Sequence, residues 1–371
     1  MAPDTMRKRV VIKIGSSSLT SMHGEISRKK LERLVDEVVH LKDDGHEVLL
    51  VSSGAVAAGY RKLGCLERPS SLPEKQAAAS IGQGLLVEAY SELFLSHGYV
   101  ASQILITRDD FSDENRYNNV RNTINVLLER GIVPIINEND TVTIDRLKFG
   151  DNDTLSAKVA GLVNADQLVI LSDIDGLYDD NPHTNPHAKL LENVEEITPE
   201  IEAGAGDSAS AVGTGGMRSK LDAFKITMAS GIPAFLGKAG ITNIIYDSIH
   251  STAKGTYFTP TDDSANLDQK KQWIAFNSGP EGEIVVSNFA KDGMIEHSEC
   301  LHSNGVERVM GYFQRGSVVR LLDVDEQEIG LGIVNYSSEE IKASNSGEEL
   351  QRIIEKDGFV CHLEIAIPVG V

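Results

Sequence analysis

Val10-Val11-Ile12-Lys13-Ile14-Gly15-Ser16-Ser17-Ser18 is the stretch from which the rest of the chain can be read. A five-residue run of this kind has the length and β-branched content of a strand, and it breaks into a turn of small residues. A backbone without bulky side chains can approach phosphate oxygens closely, its N–H groups and hydroxyls can donate to them, and a lysine at the strand end neutralises charge. An edge-strand lysine followed by an ordinary turn would look the same, so the motif needs company.

Working outward, short apolar runs recur at Val48 to Val51, Ala101 to Ile106, Ile132 to Ile136, Leu168 to Leu171 and Ile232 to Leu236. Helical patterns lie between them: Leu31, Leu34, Val35, Val38 and Val39 share one face, with Gly45 as the stop, and Met217, Leu221, Phe224 and Met228 share another. Strands alternating with helices predict an α/β fold, a doubly wound, largely parallel sheet with helices on both faces. After Pro260 the chain turns polar, and beyond Pro280 the runs Glu283 to Ser287, Ser317 to Leu322 and Gly330 to Asn335 are short, alternating and separated by glycines. The expected division is a domain at 1–262, a linker at 263–279 and a small β-rich domain at 280–371.

The chain has 371 residues, 41% hydrophobic and 24% charged, so a packed core is available. Its net charge of -20 opposes general attraction to nucleic acid or an anionic membrane, and an anionic substrate must then be held by local cations. Cys65, Cys300 and Cys361 form no CxxC pair, which argues against a disulfide framework or a zinc site and fits a reducing cytoplasm. The first apolar run is too short and too interrupted by Lys13 for a signal or membrane segment.

Three further motifs stand at strand ends. Ser52-Ser53-Gly54-Ala55 follows the second strand, where the ligand crevice of an open α/β sheet lies, although a serine N-cap alone would read the same way. Asn137-Glu138-Asn139-Asp140 and Gly150-Asp151-Asn152-Asp153 crowd amide and carboxylate groups suited to an amino acid's amine and carboxylate; the spacing lacks the terminal glutamate of an EF-hand. Gly213-Thr214-Gly215-Gly216-Met217-Arg218-Ser219-Lys220 is a glycine-rich helix start that completes neither the dinucleotide fingerprint nor a Walker A loop.

Taken together with Lys75-Gln76 and Ile81-Gly82-Gln83, these strings resemble, over nearly the whole chain, the ordered motif set of the glutamate 5-kinases within the amino acid kinase family. Gly282-Glu283-Ile284, Gly311 to Gly316 and Gly330-Leu331-Gly332-Ile333 resemble a PUA domain; the usual Leu-Leu-Pro-x-Gly turn is here Cys300-Leu301-His302-Ser303-Asn304-Gly305, without its proline. The resemblance implies an amino acid kinase fold and phosphorylation of the glutamate side-chain carboxylate by ATP with Mg²⁺, the first step of proline biosynthesis. It implies that Lys13, Lys220 and Asp153 are catalytic and that Ser53, Gly54, Asp140 and Asn152 surround L-glutamate. It assigns Lys13, Gly15, Ser172, Asp173 and Thr214, Gly215, Gly216, Met217, Arg218, Ser219 and Lys220 to ATP, with no protein ligand for the metal.

The same resemblance implies feedback inhibition by L-proline, a functional link to glutamate-5-semialdehyde dehydrogenase and a homo-oligomer in the cytoplasm. Acetylglutamate and aspartate kinases share the sheet and the lysines and are the nearest alternatives. An RNA-binding role through the tail is opposed by 17 Asp and Glu against 7 Lys and Arg from Pro280 onward. A nicotinamide-dependent oxidoreductase is opposed by the failed fingerprint.

Overall fold

The computed structural model describes residues 7–21, 25–143, 152–182, 184–204, 216–261, 267–344 and 352–362. The chain divides into two units, one of Met1–Asp110, Glu114–Met228 and Ile232–Asp262, the other of Phe111–Asp113, Ala229–Gly231 and Asp263–Val371.

The elements before residue 262 run β1 (Arg9–Ile14), α1 (Ser16–Leu19), α2 (Arg28–Asp43), β2 (Glu47–Ser52), α3 (Ala55–Gly59), α4 (Leu72–Ser96), β3 (Ala101–Ile106), α5 (Arg108–Ser112), α6 (Glu114–Glu129), β4 (Val133–Glu138), α7 (Asn152–Leu162), β5 (Gln167–Ser172), β6 (Asn193–Val194), α8 (Pro199–Gly204), α9 (Met217–Ala229), β7 (Ala234–Lys238), α10 (Ile244–Ile249) and β8 (Thr256–Phe258). Their strands form one sheet in the order β3-β4-β2-β1-β5-β7-β8-β6. Every pairing is parallel except that of β7 with β8. This is the doubly wound, largely parallel sheet expected from the alternating runs.

β1 lies at the centre, paired with β2 on one side and β5 on the other, and the alternation of its side chains sets up the site. Val10, Ile12 and Ile14 join one core with Leu31, Val35 and Val38 of α2, Tyr90 and Phe94 of α4 and Ile245 of α10. Lys13, out of phase with them, belongs to the opposite face, the one on which its ammonium meets Asp153 of α7. Strands buried on both faces read as nearly continuous apolar runs, which is why β2, β5 and, apart from Lys13, β1 are visible in the sequence.

Two glycines bring α3 and α4 together. A methyl group built on Gly82 would lie 1.8 Å from the Ala55 carbonyl oxygen, and one built on Gly59 would lie 1.9 Å from that of Ala78. Neither contact can be relieved by a side-chain rotation, because the obstacle is backbone. Gly82→Ala is therefore expected to force the helices apart and to destabilise the fold by about 1–3 kcal/mol or more. An unchanged urea midpoint would show that the contact is looser than this geometry requires.

In the second unit α11 (Gln269–Gln272) continues as a π-helical turn over Trp273–Asn277. The segment expected as a linker thus carries helical structure, with Trp273 and Ile274 buried. There follow β9 (Gly282–Val286), α12 (Asn288–Glu296), β10 (Val306–Gly311), β11 (Val318–Leu322), β12 (Glu328–Ile333), α13 (Ser338–Ser344) and β13 (Phe359–Cys361). Their sheet has the order β10-β9-β11-β12-β13, with β9 and β11 parallel and the other pairs antiparallel. Phe313, Leu321, Ile341 and Ile353 are among its core. In the turn without proline, Leu301 bridges to Ile354 and Ser303–Gly305 form one 3-10 turn.

Candidate active site

The carboxyl ends of β1, β2, β4 and β5 lie side by side at one edge of the sheet, where an open α/β fold leaves a crevice. α7 begins there, and its first two residues serve two different clusters.

Asp153 is fully buried in the first turn of α7, where the helix dipole favours a negative charge. Its Oδ1 lies 2.5 Å from Lys13 Nζ and its Oδ2 accepts from Lys220 Nζ at 3.0 Å. Burial pushes the Asp153 carboxyl up, but the two ammonium groups outweigh it through their charge and their hydrogen bonds, so it is held below its ordinary value. One carboxylate thus brackets two lysines that are themselves 7% and 6% exposed.

Asn152, one residue earlier, faces β2 and β4. Its Nδ2 lies 3.0 Å from the Ser52 carbonyl oxygen, 2.9 Å from Ser53 Oγ and 3.0 Å from Asn137 Oδ1. Ser53 does not cap α3; Gly54 holds that position in the left-handed region, φ 102°, where glycine is favoured. Ser52 Oγ is 3.1 Å from the Tyr90 hydroxyl, and burial pushes that phenol up, so it stays neutral. The structure therefore brings Ser53, Gly54 and Asn152 together. Asp140 lies in the turn just beyond β4.

Gly15 caps α1, and Ser172, at the end of β5, donates to Asp173 Oδ1 at 3.0 Å. Gly216 precedes α9, whose first turn holds Met217, Arg218, Ser219 and Lys220; Ser219 Oγ donates to the Gly216 carbonyl oxygen at 2.9 Å. Thr214 and Gly215 lie outside the described residues, as do Gly150 and Asp151. Ser17, Ser172, Asp173 and Lys238 line a cleft of about 510 Å³.

Lys30 carried no signal in the sequence, since a lysine in the first turn of an amphipathic helix looks like solvent-facing charge. Its Nζ donates to the carbonyl oxygens of Ser17 at 2.6 Å and Thr20 at 2.9 Å, and so ties down the turn after β1. Lys238, at the end of β7, pairs in register with Ser172 across β5 and β7. Among the described residues, no group of three or more His, Cys, Asp or Glu could hold a metal ion. No helix among them is long and apolar enough to cross a membrane.

Two lysines braced by one carboxylate near the carboxyl ends of the strands are suited to neutralising an anionic group. A model of the amino acid kinase family matches residues 8–238, and one of the PUA domain matches residues 282–354. The chain belongs to the amino acid kinase family and is a kinase. Glutamate 5-kinase 2 of Bacillus licheniformis is 65% identical over 98% of this chain and 99% of its own, and that of Bacillus subtilis is 66% identical over the whole of both. The glutamate 5-kinase of Geobacter sp. is 46% identical over 94% of this chain and 93% of its own. Within the family these relatives place it among the glutamate 5-kinases. The carbamate kinase from Giardia lamblia bound to AMP-PNP shares the fold, at a TM-score of 0.51 and 17% identity over 69% of this chain and 99% of that one.

Proposed function

We propose that this protein transfers the γ-phosphoryl group of ATP to the side-chain carboxylate of L-glutamate, giving L-glutamyl 5-phosphate for proline biosynthesis. The observation that carries the reading is the start of α7, where Asn152 belongs to the Ser53 cluster and Asp153 brackets Lys13 and Lys220.

The nucleophile is already an anion at neutral pH, so no base has to remove a proton. A carboxylate oxygen forms a bond to the γ-phosphorus as the bond to the β,γ-bridging oxygen breaks, and ADP carries away the electron pair. The difficulty is charge, because two anions meet and more charge gathers on the leaving diphosphate. Lys13 would lie on the transferring group and Lys220 on the β and γ phosphates, while Asp153 keeps both ammonium groups aimed. Ser53, Gly54, Asn152 and Asp140 would hold glutamate. Gly15, Ser172, Asp173 and the start of α9 would hold ATP, together with Thr214 and Gly215. Mg²⁺ fits as a companion of the ATP phosphates rather than an ion in a protein cage, since magnesium keeps several waters and few protein ligands. Bound there it would neutralise phosphate charge.

The product is a mixed anhydride that its own amine can attack to close a five-membered ring. A reductase of the glutamate-5-semialdehyde dehydrogenase type is the expected consumer. Feedback inhibition by L-proline, a homo-oligomeric state and a cytoplasmic setting belong to the same reading, as does a division into a kinase domain at 1–262, a connecting segment at 263–279 and a PUA-like domain at 280–371.

Trapping acyl phosphate with hydroxylamine, with glutamate, acetylglutamate, aspartate and carbamate offered in turn, tests the substrate. Glutamate is expected to give the signal and L-proline to raise its apparent KM without changing that for ATP. A stronger signal from another acceptor would overturn the assignment, and glutamate curves indifferent to millimolar proline would remove the feedback. Gel filtration gives the assembly state, and a chain ending at residue 262 that is folded yet inactive would refute the proposed division.

A further inference from the structure

The cluster around Asn152 does not end at the residues so far assigned to it. Asn137 Oδ1 accepts from Asn152 Nδ2 at 3.0 Å and from the Glu138 backbone N–H at 2.9 Å. The other end of the same amide, Asn137 Nδ2, donates to Gln83 Oε1 of α4 at 2.8 Å. Both Asn137 and Gln83 are buried. An asparagine amide has a donor end and an acceptor end of nearly the same shape, so packing alone does not choose between its two orientations; hydrogen bonds must. If Asn137 turned over, its NH₂ would meet the Asn152 NH₂ and the Glu138 N–H, and two donors would face donors without water to relieve them.

We propose that Gln83 is a positioning residue for the amino-acid pocket: its Oε1 fixes the orientation of Asn137, which presents an acceptor to Asn152 and so holds Asn152 against Ser53. This rests on the proposal that Ser53 and Asn152 bind glutamate. Gln83 is well placed for the task because its neighbour Gly82 sets the depth of α4 against α3, the helix that Ser53 and Gly54 lead into. A larger residue at 82 would withdraw the carbonyl of Gln83 from Asn137. The chain from α4 to Ser53 therefore contains a packing contact and three amide side chains in sequence.

Gln83→Met keeps the length of the side chain and removes the acceptor. It is expected to raise KM for glutamate about tenfold, the effect of one hydrogen bond lost with its partner left buried, while KM for ATP stays within about twofold. Combined with Asn137→Ala it should add little to the effect of Asn137→Ala alone, since both act through the same amide. Thermal melting of each variant establishes that the comparison is between folded proteins. Should Gln83→Met fail to fold, Gln83→Asn, which keeps an amide but falls one methylene short, is expected to give the same glutamate-selective rise. An unchanged KM for glutamate, an equal rise for both substrates, or fully additive effects with Asn137→Ala would each overturn the proposal. The unaltered enzyme separates the two readings: if it makes no acyl phosphate from glutamate, the substrate assignment has failed, whereas normal turnover with indifferent Gln83 variants condemns only the role given to Gln83.

Discussion

Lys13→Met and Lys220→Met should each lower kcat for acyl-phosphate formation by about 10²–10³-fold, the usual loss when one preorganised charge donor is removed, or about 2.7–4 kcal/mol of barrier. The expectation follows from burial. Exposed ammonium groups would be partly replaced by water and salt, whereas these two sit at 7% and 6% exposure and are aimed by one carboxylate. Methionine approximates the length of the lysine stem, so that charge rather than volume is what changes. Either variant leaves Asp153 with one ammonium partner, and circular dichroism should show the sheet intact. The loss should fall on kcat more than on KM for glutamate, because the lysines act where charge develops. Near-normal turnover by either folded variant would strike that lysine from the catalytic set.

Removing the shared carboxylate should be more damaging to the fold. Asp153→Asn takes the shared carboxylate away from two buried ammonium groups, and breaking a buried pair in this way costs about 3–5 kcal/mol. A large drop in the urea midpoint and loss of activity are both expected. The pH dependence has a definite sign. Asp153 has a folded pKa below its ordinary value, so its contribution to stability is fully present above the unfolded carboxylate range, about pH 4, and is lost as pH falls through the folded value. The stability difference between the unaltered protein and Asp153→Asn should therefore be constant near neutrality and shrink only below about pH 4. A difference that stays flat into strong acid would show that the charge of Asp153 contributes nothing to the fold.

Much of the architecture could be read from the chain because β1, β2 and β5 are buried on both faces and so appear as apolar runs, broken in β1 only by Lys13. The ends were harder. β4 continues through Asn137 and Glu138, polar residues whose burial depends on the site, and β7 starts two residues later than its apolar run because Ile232 N–H still bonds the Thr227 carbonyl oxygen at the end of α9. In the tail the alternating runs mark β9, β11 and β12, but they do not disclose that β9 pairs in parallel with β11, nor that α12 and α13 are set among the strands.

For the site, the strings at strand ends marked where chemistry could be, but no pattern in the sequence brings Lys13, Asp153 and Lys220 to a common point. They come from three elements, and the resemblance to a known family named them together. Gln83 was quoted only as part of a matching string. Its neighbour across space lies 54 residues away, and a glutamine in a mostly apolar helix announces nothing by itself.

The alternation along β1 also makes catalysis a witness to folding. Lys13 reaches Asp153 because it is out of phase with Val10, Ile12 and Ile14, which enter the core on the other side of the sheet. Sliding β1 by one residue against β2 and β5 would exchange these roles, thrusting an ammonium among aliphatic side chains and an isoleucine toward the bracket. Such a chain could be compact and rich in strand, and spectroscopy would pass it, yet it could transfer nothing. Specific activity after refolding thus counts molecules whose central strand has found its register, which makes this protein its own gauge of a folding error that is otherwise silent.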